Sequence, residues 1–254
     1  MKKTMVALSA FGLLITGLAA PVLADSESNR GDSILFLGTT PWGVHGPTIL
    51  ASPFFKTKDP KAKVKSDGGS SINTVGMYLG DSWLVGLQMG TGKLTYEDAK
   101  TSGAITETAK STMDFTTTGA YVRWFPGNSF NVLLSVDNRE FALKGGYVAT
   151  DGVNAIKSTV DMKTTSQVAT LGLGNQWNTD FHLVIGVDWA VVSALMSNKT
   201  DFTVSGSGSV NGTPVALTAA EKKAMEDDVK QFGTDLGKFS SFPGALIVTL
   251  GLAF

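Results

Sequence analysis

Arg123, Asp137, Arg139 and Asp188 are the residues whose types and spacing could do chemistry. Each interrupts an alternation of apolar residues. "GAYVRWF" sets Arg123 between Val122 and Trp124, "NVLLSVDNR" sets Asp137 and Arg139 off from Val132, Leu134 and Val136, and "DFHLVIGVDWAVV" sets Asp188 between Val187 and Trp189. Successive side chains of an extended chain point to opposite faces, so these four charges share the less apolar face of three strands. If that face is enclosed, two guanidiniums and two carboxylates need one another, because an unpaired buried charge is strongly destabilising. Two uses follow: a polar path or ligand site, or a self-neutralised filling. The balanced numbers favour the filling.

Little else offers reactive chemistry. The chain has two histidines, His45 and His182, and no cysteine. That excludes disulfides, thiolate metal sites and a cysteine nucleophile. Nucleophilic catalysis needs a nucleophile with a base in reach, and no G-x-S-x-G or H-E-x-x-H pattern supplies one. No catalytic residue, metal ligand or cofactor site is therefore assigned, and both histidines read as structural. The formal net charge of −1 gives no reason to expect a nucleic-acid partner. "KTKDPKAKVK", residues 56–65, reads as a solvated loop with the capacity to attract phosphate groups.

The elements that must position the four charges are strands. Glycine is abundant, with 29 residues, and serine and threonine are frequent, a composition suited to many strands joined by turns. Alternation and turn signals place strands near 70–80, 83–96, 111–125, 129–144, 159–174, 181–197 and 241–254. An eighth, less regular, falls within 33–55, where Pro41, Pro47 and Pro53 remove ladder donors. Short connections at Asp81-Ser82, Pro126–Ser129 and Gly174–Asp180 alternate with long polar tips at 56–70, 97–110, 145–157 and 198–239. Asp151-Gly152 and Asn211-Gly212 are tight-hairpin signals within those tips. One helix is expected near 218–237. Thr218 and Glu221 have capping-box spacing, Met225, Val229, Phe232 and Leu236 form an apolar stripe, and Gly233 and Gly237 weaken its end.

Residues 1–24 have the charged start, apolar stretch and small-residue end of a cleaved signal peptide, which leaves 25–254 as a single domain. No later run of apolar residues is long enough for a transmembrane helix. The less apolar strand face is rich in Gly, Ala, Ser and Thr and poor in Lys and Glu, as suits the inside of a narrow barrel. Trp83, Trp124, Phe125, Phe130, Trp177 and Phe181 flank the short turns, where an aromatic girdle would lie.

The chain ends "ALIVTLGLAF", with Leu246, Val248, Leu250, Leu252 and Phe254 on one parity. This ending resembles the C-terminal insertion signal of small Gram-negative outer-membrane β-barrel proteins, and no motif ties the chain to one branch of them. The resemblance implies an antiparallel up-and-down transmembrane barrel of about eight strands with long extracellular hairpins. It also implies contact with outer-membrane lipid and lipopolysaccharide, and handling by the barrel assembly machinery during insertion. The expected role is non-enzymatic, with a plugged lumen and action through the loops in surface interaction, envelope maintenance or binding of a small or lipidic ligand. The alternatives are a narrow or laterally opening channel for small apolar solutes and a membrane-embedded lipid-modifying enzyme.

Overall fold

The computed structural model describes residues 30, 32–44, 63–67, 72–241 and 244–254; of 41–44, 63–67, 245 and 246 it describes the backbone alone. Residues 1–24, read above as a signal peptide, together with His45 and residues 56–62 of the lysine cluster, lie outside the described residues. The strands are β1 (Leu35–Val44), β2 (Lys63–Asp67), β3 (Ile72–Leu79), β4 (Trp83–Ser102), β5 (Ile105–Trp124), β6 (Phe130–Thr150), β7 (Ala155–Asn178), β8 (Leu183–Val210), β9 (Thr213–Ala216) and β10 (Ala245–Ala253). The helix, α1, spans Ala219–Ser240.

Eight strands close a ring in the order β10-β1-β3-β4-β5-β6-β7-β8, with β8 pairing back to β10, and every pairing is antiparallel. The last residue completes the seam. The Phe254 carbonyl accepts from the N–H groups of Ile34 and Leu35, and its own N–H donates to Leu35, at 2.9 Å. On the other side Ala253 donates to the His182 carbonyl at 2.8 Å. Pro41 falls in β1, and the β1–β10 register shifts twice there, between Thr39 and Trp42 and between Trp42 and Val44. Irregular pairing is the expected response to a residue with no N–H to donate.

The strands from β4 to β8 run well past the ring. Their upper parts form an open sheet edged by β2 on β4 and by β9 on β8. The polar tips at 97–110 and 145–157 are therefore mostly strand, and so is 198–210 of the third, so that Asp151-Gly152 and Asn211-Gly212 lie at the ends of projecting strand pairs. They carry polar residues on both faces, which erases the period-2 signal while leaving the ladder intact. Ser102 pairs with Ile105 around Gly103, whose φ is 62°. Val210 pairs with Thr213 around Asn211-Gly212, both at positive φ. The Asp151-Gly152 turn spans four residues rather than two, and the Asp151 carboxylate accepts from the N–H groups of Val153 and Asn154.

The outward face changes character along the strands. Near the ring it carries Leu37, Val75, Met77, Val85, Leu87, Leu134, Val136, Leu171, Val192, Leu250 and Leu252, all exposed. Trp83 and Trp124 stack at its lower edge, with centroids 6.1 Å apart. On the extension the same face carries ion pairs: Lys93–Asp114, Glu97–Lys110, Glu140–Lys163, Lys144–Asp161 and Lys199–Asp201. The aromatic assignment needs one correction. Phe125 turns inward and is buried, because the turn after β5 folds it beneath the barrel.

β8 keeps both faces correct over 28 residues by slipping register twice, past Trp189 and past Met196. Its lower end and its upper part face inward with even-numbered residues, and the piece between the slips with odd-numbered ones. Val191, read from the sequence as outward, is consequently buried at 2 % exposure.

The helix packs on the concave face of the extension. Its capping box is formed, with the Glu221 N–H donating to Thr218 Oγ1 at 3.2 Å and the Thr218 N–H donating to Glu221 Oε2 at 2.8 Å. The buried face is Gly233, Leu236, Gly237 and Ser240, with Val229 and Phe239 packed beside it. Phe232, predicted in the apolar stripe, is 44 % exposed. The glycines decide the face, since a Cβ on Gly233 would strike Thr200 and one on Gly237 would strike Asn198. They permit close approach, and α1 runs past both.

Two outcomes are expected. Gly237→Val should undock the end of α1 at a cost of about 1–3 kcal/mol, seen as lost hydrogen-exchange protection in the helix while the barrel amides stay protected. The second concerns pH. Hydrogen bonds from Thr218 hold the Glu221 carboxyl below its ordinary range, so its contribution is complete above the unfolded value of about 4.3 and lost as pH falls through the lower folded value. Helix protection should weaken on acidification below about pH 4, and Glu221→Gln should remove most of that pH dependence.

Candidate functional site

From the turn end upward, the interior is a stack of layers. Arg30 forms the lowest. The residue is 2 % exposed, and its guanidinium lies 4.1 Å over the Phe125 ring. It donates to the carbonyls of Asp81 (3.2 Å), Gly127 (3.2 Å), Asn128 and Gln176 (3.4 Å). One side chain thus gathers the ends of three hairpins. Burial draws its pKa below the usual guanidinium value, and Tyr78 and Asp81 counter that. Sequence reading missed Arg30 because it precedes the first strand and belongs to no alternation.

Above it lies an aromatic and aliphatic layer of Phe36, Tyr78, Leu84, Tyr121, Phe125, Leu133, Val184 and Ala253. A buried amide–phenol knot crosses it, in which Gln176 Nε2 donates to Tyr78 Oη at 2.8 Å and Asn178 Nδ2 donates to the same atom at 3.2 Å.

The four predicted charges come next, and the structure arranges them as two pairs. Arg123 (β5) and Asp188 (β8) make a two-pronged contact across the barrel, Nη1 to Oδ1 and Nη2 to Oδ2, both at 2.6 Å. Such fork-to-fork geometry makes the strongest class of ion pair. Asn131 Oδ1 accepts a further bond from Arg123 at 2.7 Å. Higher up, the Arg139 Nη2 donates to Asp137 Oδ2 at 3.1 Å, joined by Ser135 Oγ at 3.2 Å and by Gln88 Nε2. Arg139 Nη1 continues to the Ser240 carbonyl at the end of α1. Asp137, Arg139 and Asp188 are each no more than 1 % exposed. Glycine makes the room: a Cβ on Gly119 would collide with the Asp137 carboxylate, and one on Gly174 with that of Asp188.

Between the pairs is a cavity of about 50 Å³ lined by Thr40, Thr74, Gln88, Tyr121, Thr170 and Thr249 among others. That is room for a few waters. Tyr121 Oη and Thr74 Oγ1 are both buried there. Above the second pair, Leu236 of α1 enters a cluster of Met113, Phe115, Phe141 and Met162 and closes the upper end.

The remaining predicted residues fall elsewhere. His182, inward by parity, is exposed in the turn between β7 and β8 and stacks on Phe254 at 6.2 Å, because a φ of 62° swings it away from the interior. Leu250, Leu252 and Phe254 point outward and are exposed. Val248 pairs with Trp42 and Val187, and Leu246 has only its backbone described. Of the helix stripe, Leu236 is buried, Val229 and Met225 are partly buried, and Phe232 is outside. No group of three or more metal-binding side chains occurs among the described residues, and no described helix is long and apolar enough to cross a membrane. No family model, curated protein or solved structure matches the chain.

The paired charges yield a discriminating expectation. Asp188→Asn or Arg123→Met alone should cost about 3–5 kcal/mol, by stranding a buried charge. The double replacement Arg123→Met with Asp188→Leu should recover most of that. Denaturant unfolding of the refolded protein reads both, and a double variant no better than the singles would show that the pair is not self-contained.

Proposed function

We propose that this is an integral outer-membrane barrel with a closed lumen, working through the sheet-and-helix extension at its far end and not through a pore. The carrying observation is the change along the outward face. Among the described residues no Asp, Glu, Lys or Arg points outward on the ring, whereas ion pairs line the outer face of the extension. A solvated sheet face has no need to exclude charge from one zone and collect it in the next. A hydrocarbon layer does, because each charged side chain there is costly. The C-terminal pattern, the stacked Trp pair at the lower edge and the leader-like N-terminus fit the same reading.

The interior supports a plug over a conduit. Arg30, the two ion pairs and Leu236 block the axis at four heights, and eight strands enclose room for side chains and little more. A side exit is disfavoured as well. Ala120, Ala169 and Ala194 make a hollow in the outer face, yet the ladder beneath runs unbroken from Ala120 through Val136 and Ala169 to Ala194. On this reading the protein is non-enzymatic, and its charged residues hold one another. Its role lies in surface interaction, envelope maintenance or capture of a small ligand, with lipid and lipopolysaccharide as neighbours.

Three measurements test this. The protein refolded in vesicles should migrate faster on a gel unboiled than boiled, and the vesicles should show no solute-dependent swelling. Leu134→Arg, mid-band, should then destabilise by about 2–4 kcal/mol, and Thr116→Arg, on the outer face of the extension, by no more than about 0.5 kcal/mol. Equal costs at the two positions, or a folded protein that stays in solution without detergent, would overturn the membrane assignment.

A further inference from the structure

The concave face of the extension carries a cleft that the plug does not use. Beside the ring its floor is a row of large apolar residues, Leu94, Met113, Leu143, Met162 and Phe202, on which Leu236 and Phe239 of α1 pack. Farther along the strands the middle of the floor is Ser111, Gly145 and Val160, and then Ala109, Tyr147 and Ser158. This small-residue floor falls away while α1 runs on above it. A cleft of about 320 Å³ is left beneath Met225 and Val229. The volume lies within the range of small-molecule sites.

The lining fixes the chemistry of an occupant. The walls are aromatic and aliphatic, Tyr96, Tyr147, Val160, Val204, Met225 and Val229, and Ser111 and Ser158 bring hydroxyls to the floor. Two charged residues reach the cleft, Lys110 and Asp228, and both are exposed to solvent. Lys110 is also held by Glu97 at 2.7 Å. A charged ligand drawn beneath the helix would shed water and meet only these solvated groups, an exchange that is costly. A neutral oxygen loses far less, because a serine or tyrosine hydroxyl can donate to it or accept from it. The cleft also has an apolar way out. Ala149, Ile156 and Val215 continue the floor toward the strand tips, in a row that ends at Glu107, and Ile156 and Val215 are exposed. The convex face behind them carries Thr150, Lys157 and Ser207. Apolar residues left exposed on one side of a sheet whose other side is polar mark a binding surface.

We propose that the cleft beneath α1 binds uncharged amphiphiles, medium-length aliphatic chains that carry one neutral oxygen group, as a fatty alcohol does. The oxygen is held by the Ser111 hydroxyl, and the chain crosses Gly145 beneath Met225 and leaves over Ile156. Specificity then comes from what the site withholds, since neither sign of charge finds a buried partner in it. This rests on the reading of the extension as the working part and names what it captures, and it stands apart from the question of whether the ring is in lipid.

The test uses the full-length protein in lipid nanodiscs with methyl-labelled methionine. 1-Octanol is titrated while two methyl resonances are followed, that of Met225 in the roof and that of Met89, exposed on the ring. Octanoate and octylammonium are the anionic and cationic controls. Octanol should shift Met225 saturably at concentrations that leave Met89 in place, and should bind about tenfold or more tightly than either control. 1-Butanol should bind more weakly than octanol, and Ile156→Asn should remove most of that difference. Gly145→Leu should fill the floor and abolish binding, and Ser158→Leu fills it from the neighbouring strand should the first variant misfold. A Met225 response no stronger than that of Met89, or a charged control binding as tightly as octanol, would overturn the proposal. So would a chain-length difference that survives Ile156→Asn, or affinity untouched by the filling variants. Heat-dependent gel mobility of the same samples reports the barrel separately, so failure of the cleft leaves a different trace from failure of the membrane reading.

Discussion

The seam at the C-terminus is the constraint on which the rest of the molecule depends. A sheet that curls without closing leaves a row of unpaired N–H and C=O groups at each edge, and nothing inside the cylinder would then be shielded. Here the final backbone groups of Ala253 and Phe254 are spent on both neighbours at once, on His182 from β8's side and on Ile34 and Leu35 from β1's. Every further property assumes that closure. The interior becomes a place of low polarisability where a charge must find its opposite, and the exterior becomes a continuous skin with no open edge in the ring.

Inside that enclosure, electrostatics and volume are solved together. Each carboxylate has a glycine facing it, so the space given up by one strand is taken by an acid from the next, and an arginine then reaches the acid from a third position. Arg139 carries this one step further. By donating to both Asp137 and the Ser240 carbonyl it ties the ring interior to the last turn of α1. The helix is consequently held at two levels, by apolar packing of Leu236 and by a charged hydrogen bond at its end. The free half of the helix, toward Thr218, lies over the small-residue floor, where no such ties exist among the described residues.

How much of this was legible in the sequence depended on whether a residue belonged to an alternating run. All eight ring strands could be located, and Arg123, Asp137, Arg139 and Asp188 could be put on one face, because the apolar alternation of each strand, such as Val132, Leu134 and Val136 ahead of Asp137 and Arg139, fixes the parity. The extension was partly legible: the hairpin signals at Asp151-Gly152 and Asn211-Gly212 mark strand pairs projecting past the ring, while polar residues on both faces leave 97–110 and 145–157 without a period to fix their strands. Phe232 was misjudged because apolar spacing alone defined the helix face, whereas the packing surface is set by where two glycines let the backbone come close. Phe125 and His182 sit in turns, where parity stops applying. Arg30 lies before the first strand, and its role exists only once three hairpin ends meet around it.

The two register slips in β8 bear on how the molecule can change length. In a regularly paired stretch of ring strand, adding or removing one residue would turn every side chain beyond that point from core to skin. β8 already holds two surplus residues, Trp189 and Met196, and their phase errors cancel, so Asp188 below and Thr200 above look the same way. Loss of either surplus residue would restore regular pairing at that slip and leave every remaining side chain on its present face. Loss of both would shorten the strand by two positions with its orientation intact. Single-residue change in length is therefore open to this wall at two places, and β8 is where a lineage could record it.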